Sequence, residues 1–123
     1  MTTWANEMRA AALAGMCSLL NGGTFRLLNA GASELAAPVF NATAFGTPTT
    51  ANPSVATANA FTADSSITAG DMASFELKTS GGATRVSGTL GVGTGDIQVS
   101  SVTIPPTATS VTISGMTISF TLT

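Results

Sequence analysis

The spacing of apolar residues changes once along this chain, at Asn21-Gly22-Gly23, and that change bounds what it can fold into. Upstream, Trp4, Met8, Ala12, Met16 and Leu19 or Leu20 recur at helical spacing among alanines. Thr3 can cap such a helix, Glu7 falls in its first turn where the dipole favours an acid, and Asn-Gly-Gly stops it. The spacing predicts a helix from Thr3 or Trp4 to Leu20, about 26 Å long.

Downstream the spacing is two. Candidate strands are Thr24 to Asn29, Val39 to Phe45, Val55 to Phe61, Met72 to Thr79, Thr84 to Leu90, Ile97 to Ile104 and Val111 to Leu122. "GTPTTANPS" is a turn-rich loop, "SGGA" a hairpin turn, and "GVGTGD" a second hairpin turn. Short strands at this spacing after one helix predict a mainly β fold. The expected form is one domain, 1–123, with an N-terminal arm and helix over 1–23. An antiparallel β-sandwich, jelly-roll or immunoglobulin-like, follows over 24–123.

Two of these strands break phase. Val111 and Ile113 are odd-numbered, whereas Met116, Ile118, Phe120 and Leu122 are even, with Gly115 between. Ile97 and Val99 are odd, Val102 and Ile104 even, with Ser100-Ser101 between. A face of period two changes side only at an extra residue, so each break is a bulge or a division into two short strands.

Charge narrows the function classes. Only 8% of the 123 residues are charged, against a typical ~25%, and none lies between Ile97 and Thr123. Arg9, Arg26, Lys78 and Arg85 are scattered and the net charge is −2. That pattern argues against nucleic-acid and anionic-membrane partners, which need clustered cations. Polarity comes instead from 21 Thr and 13 Ser, beside 20 Ala and 13 Gly. A surface so poor in charge suits a protein held in an assembly. The apolar run from Met8 to Leu20 is too short to cross a bilayer, and its lead-in carries Glu7 where a secretory signal would be basic. "LAGMC" resembles a lipoprotein cleavage site, but Met16 stands where a small residue should precede the cysteine.

Little catalytic chemistry is available. The chain has no histidine and no tyrosine, which removes the usual triads and zinc sites. Cys17 reads as a buried small hydrophobe. Two carboxylates would suffice for a glycosidase, but Trp4 is the only tryptophan to line a sugar cleft. Asp64 and Asp71 flank "DSSITAGD", a solvated turn or a calcium clamp. "GVGTGD" lacks the spacing, lysine and following helix of a phosphate loop. Asn41-Ala42-Thr43 is a glycosylation sequon of the kind a threonine-rich chain contains by chance. The expectation is a structural or binding protein, not an enzyme, with no cofactor and no metal.

The order of the pieces resembles a group of small tailed-phage and prophage virion proteins. The stretches that carry it are "LLNGGTFRLL" (Leu19 to Leu28), "VATANAF" (Val55 to Phe61), "MASFELKTSGGATRVSGTLG" (Met72 to Gly91) and "DIQVSSVTI…SVTISGMTISFTL". The family's common form places an aromatic after the first strand's arginine and an Asp-Gly turn before the strand of Arg85; this chain has Leu27-Leu28 and Gly81-Gly82. The resemblance implies a capsid decoration, or cement, protein on the outer surface of a phage head, made in the host cytoplasm. Its partners would be the major capsid protein lattice and itself, as a homo-oligomer, dimer or trimer. A tail or neck component is the alternative within the same class. A carbohydrate-binding or adhesion module is the alternative outside it.

Candidate interface residues are Thr3, Trp4 and Met8 at one end and Ile118, Phe120 and Leu122 at the other. Trp4 is an anchor for a partner or packs the helix onto the sheet. The C-terminal strand either lies central in its sheet or is covered by a neighbouring subunit.

Overall fold

The computed structural model describes residues 5–120; Thr3, Trp4 and Leu122 lie outside the described residues. In chain order the elements are α1 (Asn6–Ser18), β1 (Thr24–Leu28), β2 (Glu34–Ala36), β3 (Ser54–Thr57), β4 (Gly70–Asp71), β5 (Ser74–Lys78), β6 (Thr84–Gly91), β7 (Ile97–Gln98), β8 (Thr103–Ile104) and β9 (Thr117–Phe120). The fold is mainly β with one N-terminal helix.

The alternating residues of β1, β5 and β6 set the pairing. Phe25 stands opposite Leu77, and Leu77 opposite Val86; Leu27, Phe75 and Gly88 form the next row. This apolar face belongs to a five-stranded sheet of order β2-β1-β5-β6-β7. Glycine at 88 has a reason. A Cβ there would lie 2.9 Å from the Phe75 ring and 2.7 Å from Asp96 Oδ2, so the ring sits directly over the backbone.

A second, looser layer covers that face. β3 pairs with β9, and single bridges join Phe45 to Ala58 and Asp64 to Val111. Val39 bridges both Thr24 and Thr62, so backbone pairing passes from the first layer to the second. β4 and β8 form a further two-stranded sheet. Phe25, Phe40, Phe45, Phe61 and Phe75 make one connected set of ring contacts, with centroids 4.6–6.4 Å apart, and so tie the layers together.

Several expected elements come out differently. Val39 to Phe45 is not a strand: only its two end residues make bridges, while backbone groups between them bond to the Asn21–Gly23 turn, to side chains and to the Asn59 amide. β2 and β4, too short for a periodic signal, were not expected. Ile97 to Ile104 divides into β7 and β8, which join different sheets, so the Ser100-Ser101 break is a change of sheet. At the other break, Gly115 has φ +70 at a bend, and the regular strand is only Thr117–Phe120. A positive φ is why glycine stands there.

"GVGTGD" is not a hairpin turn. Gly93 and Gly95 take φ +71 and +90, and the loop coils back so that β7 runs parallel to β6. The Asp96 carboxylate pins this loop by accepting hydrogen bonds from Thr89 N (2.9 Å) and Thr89 Oγ1 (3.2 Å). "SGGA" is the hairpin turn expected, with Thr79 N donating to Ala83 O at 2.9 Å and Gly82 at φ +88.

Candidate functional site

Which way α1 faces decides what it can bind. It packs against β3 and β9, burying Arg9, Leu13 and Cys17, with Leu20 in the turn that follows. These positions repeat at the spacing of one helix face. The expected stripe lies one residue earlier, about 100° round the helix, and it faces outward. Met8 is 53% exposed, Met16 44% and Leu19 52%, and Ala12 is exposed too; of the alternatives at the end of the stripe, Leu20 is the buried one.

The phase differs because Arg9 looks like a surface residue and is not. Its Nε donates to Ala51 O at 3.3 Å, and its Nη2 donates to Asn6 Oδ1. The guanidinium is thereby satisfied while its stem packs with the core side. α1 starts at an N-cap, Ala5, that makes no side-chain cap bond, and Thr3, expected to cap the helix, lies outside the described residues.

Of the other candidate residues, Met8 is in the first turn of α1 on the open side. Ile118 stands opposite Ala56 in the β3–β9 pair, half-buried and packed against the core. Its side chain is thus part of the packing of the fold itself. Phe120 pairs its backbone with Ser54. Met8 and Ile118 therefore belong to different surfaces. Thr3, Trp4 and Leu122 are outside the described residues.

An open cavity of about 570 Å³ lies between the layers on the β7 side, with Leu27, Leu90, Ile97, Val111, Ile113 and Met116 among its walls. It marks where the second layer is least regular, next to the Gly115 bend.

The titratable groups mostly hold loops. Asp64 Oδ2 accepts from Ala37 N (2.8 Å) and its Oδ1 from Ser66 N (2.9 Å), while Asp71 Oδ1 accepts from Thr103 Oγ1 (2.8 Å). The two aspartates thus have separate partners, and among the described residues no group of three or more potential metal ligands comes together. Asn41 sits on an exposed turn with its Oδ1 accepting from Thr43 N at 3.0 Å. On the outer face of the five-stranded sheet, Arg26 bonds Glu34 and Glu76, each at 2.8 Å. The hydrogen bond from Arg26 holds Glu76 below the usual carboxylate range, and the bonds to Glu76 and then Glu34 raise Arg26 further. Burial pushes the Cys17 thiol up, which disfavours the reactive thiolate.

Among the described residues no helix is long and apolar enough to cross a membrane. No family model, curated protein or solved structure matches this chain. Sequence reasoning offered Met8 as an interface candidate without the rest of its stripe, and it gave no part to the outer edge of β6. The first was legible as an apolar stripe, but its spacing does not say which side it faces. The second carried one signal, the lone charge of Arg85 in an otherwise neutral strand.

Proposed function

We propose that this chain is a virion structural protein, a capsid decoration or cement protein that binds the outside of a phage head and stabilises the capsid lattice. The observation that carries a binding role is the second apolar face of α1. Met8, Ala12, Met16 and Leu19 leave the core to Arg9, Leu13, Cys17 and Leu20, yet they are apolar. A helix greasy on both sides is expected where a second surface covers the outer one. The few charges elsewhere lower the desolvation cost of flat contacts. The phage head itself enters through the order of sequence pieces resembling tailed-phage virion proteins.

In this reading the two layers are an irregular sandwich of the jelly-roll or immunoglobulin kind, with α1 on its second layer. The protein has no catalytic role and needs no cofactor. Its partners are the major capsid lattice and other copies of itself, not nucleic acid or membrane. Each bound unit bridges neighbouring capsid subunits, so separating them requires breaking the bridge as well. Many repeated contacts of standard size, roughly 1,600 Å², supply the strength.

The test is copy number and position on purified particles by cryo-electron microscopy and quantitative mass spectrometry. Met8→Glu/Met16→Glu serves as the binding-face variant. The expected result is hundreds of copies on the outer head surface, and a variant that folds normally but fails to decorate heads. A ring of a few copies makes it a tail or neck component instead. Glycan binding by the isolated protein makes it an adhesion module. Either result overturns the cement reading.

A further inference from the structure

We infer that the outward stripe of α1 docks on the same stripe of a second copy, the two helices lying antiparallel across a two-fold axis midway between Ala12 and Gly15. The inference rests on the binding role given to α1 above and names its partner; it does not need the capsid part.

Four residues make the seam. Met8, Ala12, Gly15 and Leu19 are all exposed, the two large ones by half. They are spaced four, three and four apart, the alternation that keeps one helix against another. Met16 flanks them and is half-exposed too. Gly15 is the informative position. Glycine weakens a helix interior relative to alanine. Yet a Cβ at Gly15 would meet nothing within 4 Å among the described residues, so no contact inside the chain asks for glycine there. The close approach of a second helix does, because the side chains at the contact set the distance between packed helix axes.

The seam matches itself. Read from either end it runs large, small, small, large at the same spacing, and a surface that fits itself turned end for end is what a two-fold contact requires. In the antiparallel register Met8 meets the second copy's Leu19, and Ala12 meets the second copy's Gly15, each contact made twice. Charge permits the pairing. Of the two charges on α1, Arg9 is buried, and Glu7 lies five positions before Ala12, about 140° round the helix. No charge is desolvated at the seam and none meets its like. Antiparallel helices also set opposite ends of their dipoles together, whereas a parallel pair would align them. Area sets the strength. Met8, Met16 and Leu19 with the small residues between them cover on the order of 400 Å² in each copy, half the share of a standard interface. The pair is therefore weak in dilute solution and tightens where copies are held side by side.

Self-association of the isolated full-length protein is followed by sedimentation equilibrium up to millimolar concentration, with no heads present. The expected result is a monomer–dimer equilibrium. Ala12→Glu puts an acid at the centre of the seam and is expected to weaken association at least tenfold. Ala14→Glu, exposed on the other side of α1, is expected to leave association unchanged. Both should keep the wild-type circular dichroism spectrum. Under mild oxidant, Met8→Cys and Leu19→Cys proteins mixed together are expected to link to each other in preference to themselves, while the native Cys17 stays buried and unlinked. A monomer at every concentration, or a trimer, which an isologous contact cannot close, would overturn the proposal. So would Ala12→Glu with wild-type association, or Met8→Cys linking to itself, the mark of a parallel pair. A monomer that still loses head binding on Met8→Glu/Met16→Glu leaves the binding role standing and strikes this inference alone. Loss of head binding by a protein that still dimerises strikes the cement reading instead.

Discussion

The orientation of α1 can be tested by truncating two residues three positions apart. Leu13 is fully buried against the β3–β9 layer, at 0% exposure, whereas Met16 looks outward. Leu13→Ala removes three carbons from a filled site. The lost transfer energy plus the residual cavity gives roughly 3–4 kcal/mol, within the range for buried Leu→Ala changes. A domain of this size has a total stability on the order of 6–18 kcal/mol, so the loss is a large share. It corresponds to a fall in Tm of roughly 10–15 °C. Met16→Ala loses only part of a half-exposed side chain and gains slightly in helix propensity, for a net cost of about 0.5 kcal/mol. Urea and thermal melts followed by circular dichroism at 222 nm, at fixed protein concentration, read both numbers. If Met16→Ala costs as much as Leu13→Ala, α1 is rotated from the orientation described, and the exposed stripe on which the binding role rests does not exist.

Other expectations follow from single positions. Gly23→Ala would set a Cβ 1.9 Å from Lys78 O, a backbone atom that cannot yield, and should cost about 3 kcal/mol or more in urea melts. Gly15→Ala in α1 meets nothing within 4 Å and should stabilise by about 0.5–1 kcal/mol in the same assay. Glu76 is held below the usual carboxylate range in the folded state, so its pairing with Arg26 stabilises above the unfolded-state pKa of about 4.3 and is lost as pH falls through the lower folded value. Both side chains are partly exposed, so Glu76→Gln should cost about 0.5–1 kcal/mol at pH 7, and the difference from wild type should vanish in acid; a pH-independent difference refutes the ion-pair origin. Asp64→Ala strands the amides of Ala37 and Ser66 and should cost about 1–3 kcal/mol, while added calcium should leave the wild-type Tm unchanged; a calcium-dependent rise refutes its role as a loop clasp alone.

What the sequence showed depended on how far each element's signal was local. The switch at Asn21-Gly22-Gly23, the strands β1, β5 and β6, and the turn at "SGGA" are all visible as runs of five residues or more with their own punctuation. β2, β4, β7 and β8 are two or three residues long, below any period, and exist because a partner strand reaches them. The helix phase was lost on one residue. A hydrophobic count places Arg9 outside, and nothing local reveals that Ala51, forty-two residues on, supplies an acceptor for its guanidinium. With Arg9 outside, the Met8 stripe is the best remaining core face; with Arg9 inside, it is left exposed. Whether those residues face the core or solvent turns on one long-range hydrogen-bonded contact.

The charge-free C-terminal stretch raises the question of how a greasy, unguarded segment avoids pairing with everything near it. The described structure answers with length. From Ile97 on, the chain is divided into β7, β8, the single bridge at Val111 and β9, each docked on a different partner. Pieces of two to four residues offer too few consecutive backbone groups to template another strand. Gly115, at φ +70, turns the last piece away before the run can lengthen. The long strand, β6, is treated differently. On its outer edge β7 covers Leu90 and Gly91, the Asp96 carboxylate takes the Thr89 amide, and Arg85 puts a charge on the short stretch that is left. A covered end and a charge on the remainder are two of the ways in which an edge strand is kept from pairing with another chain.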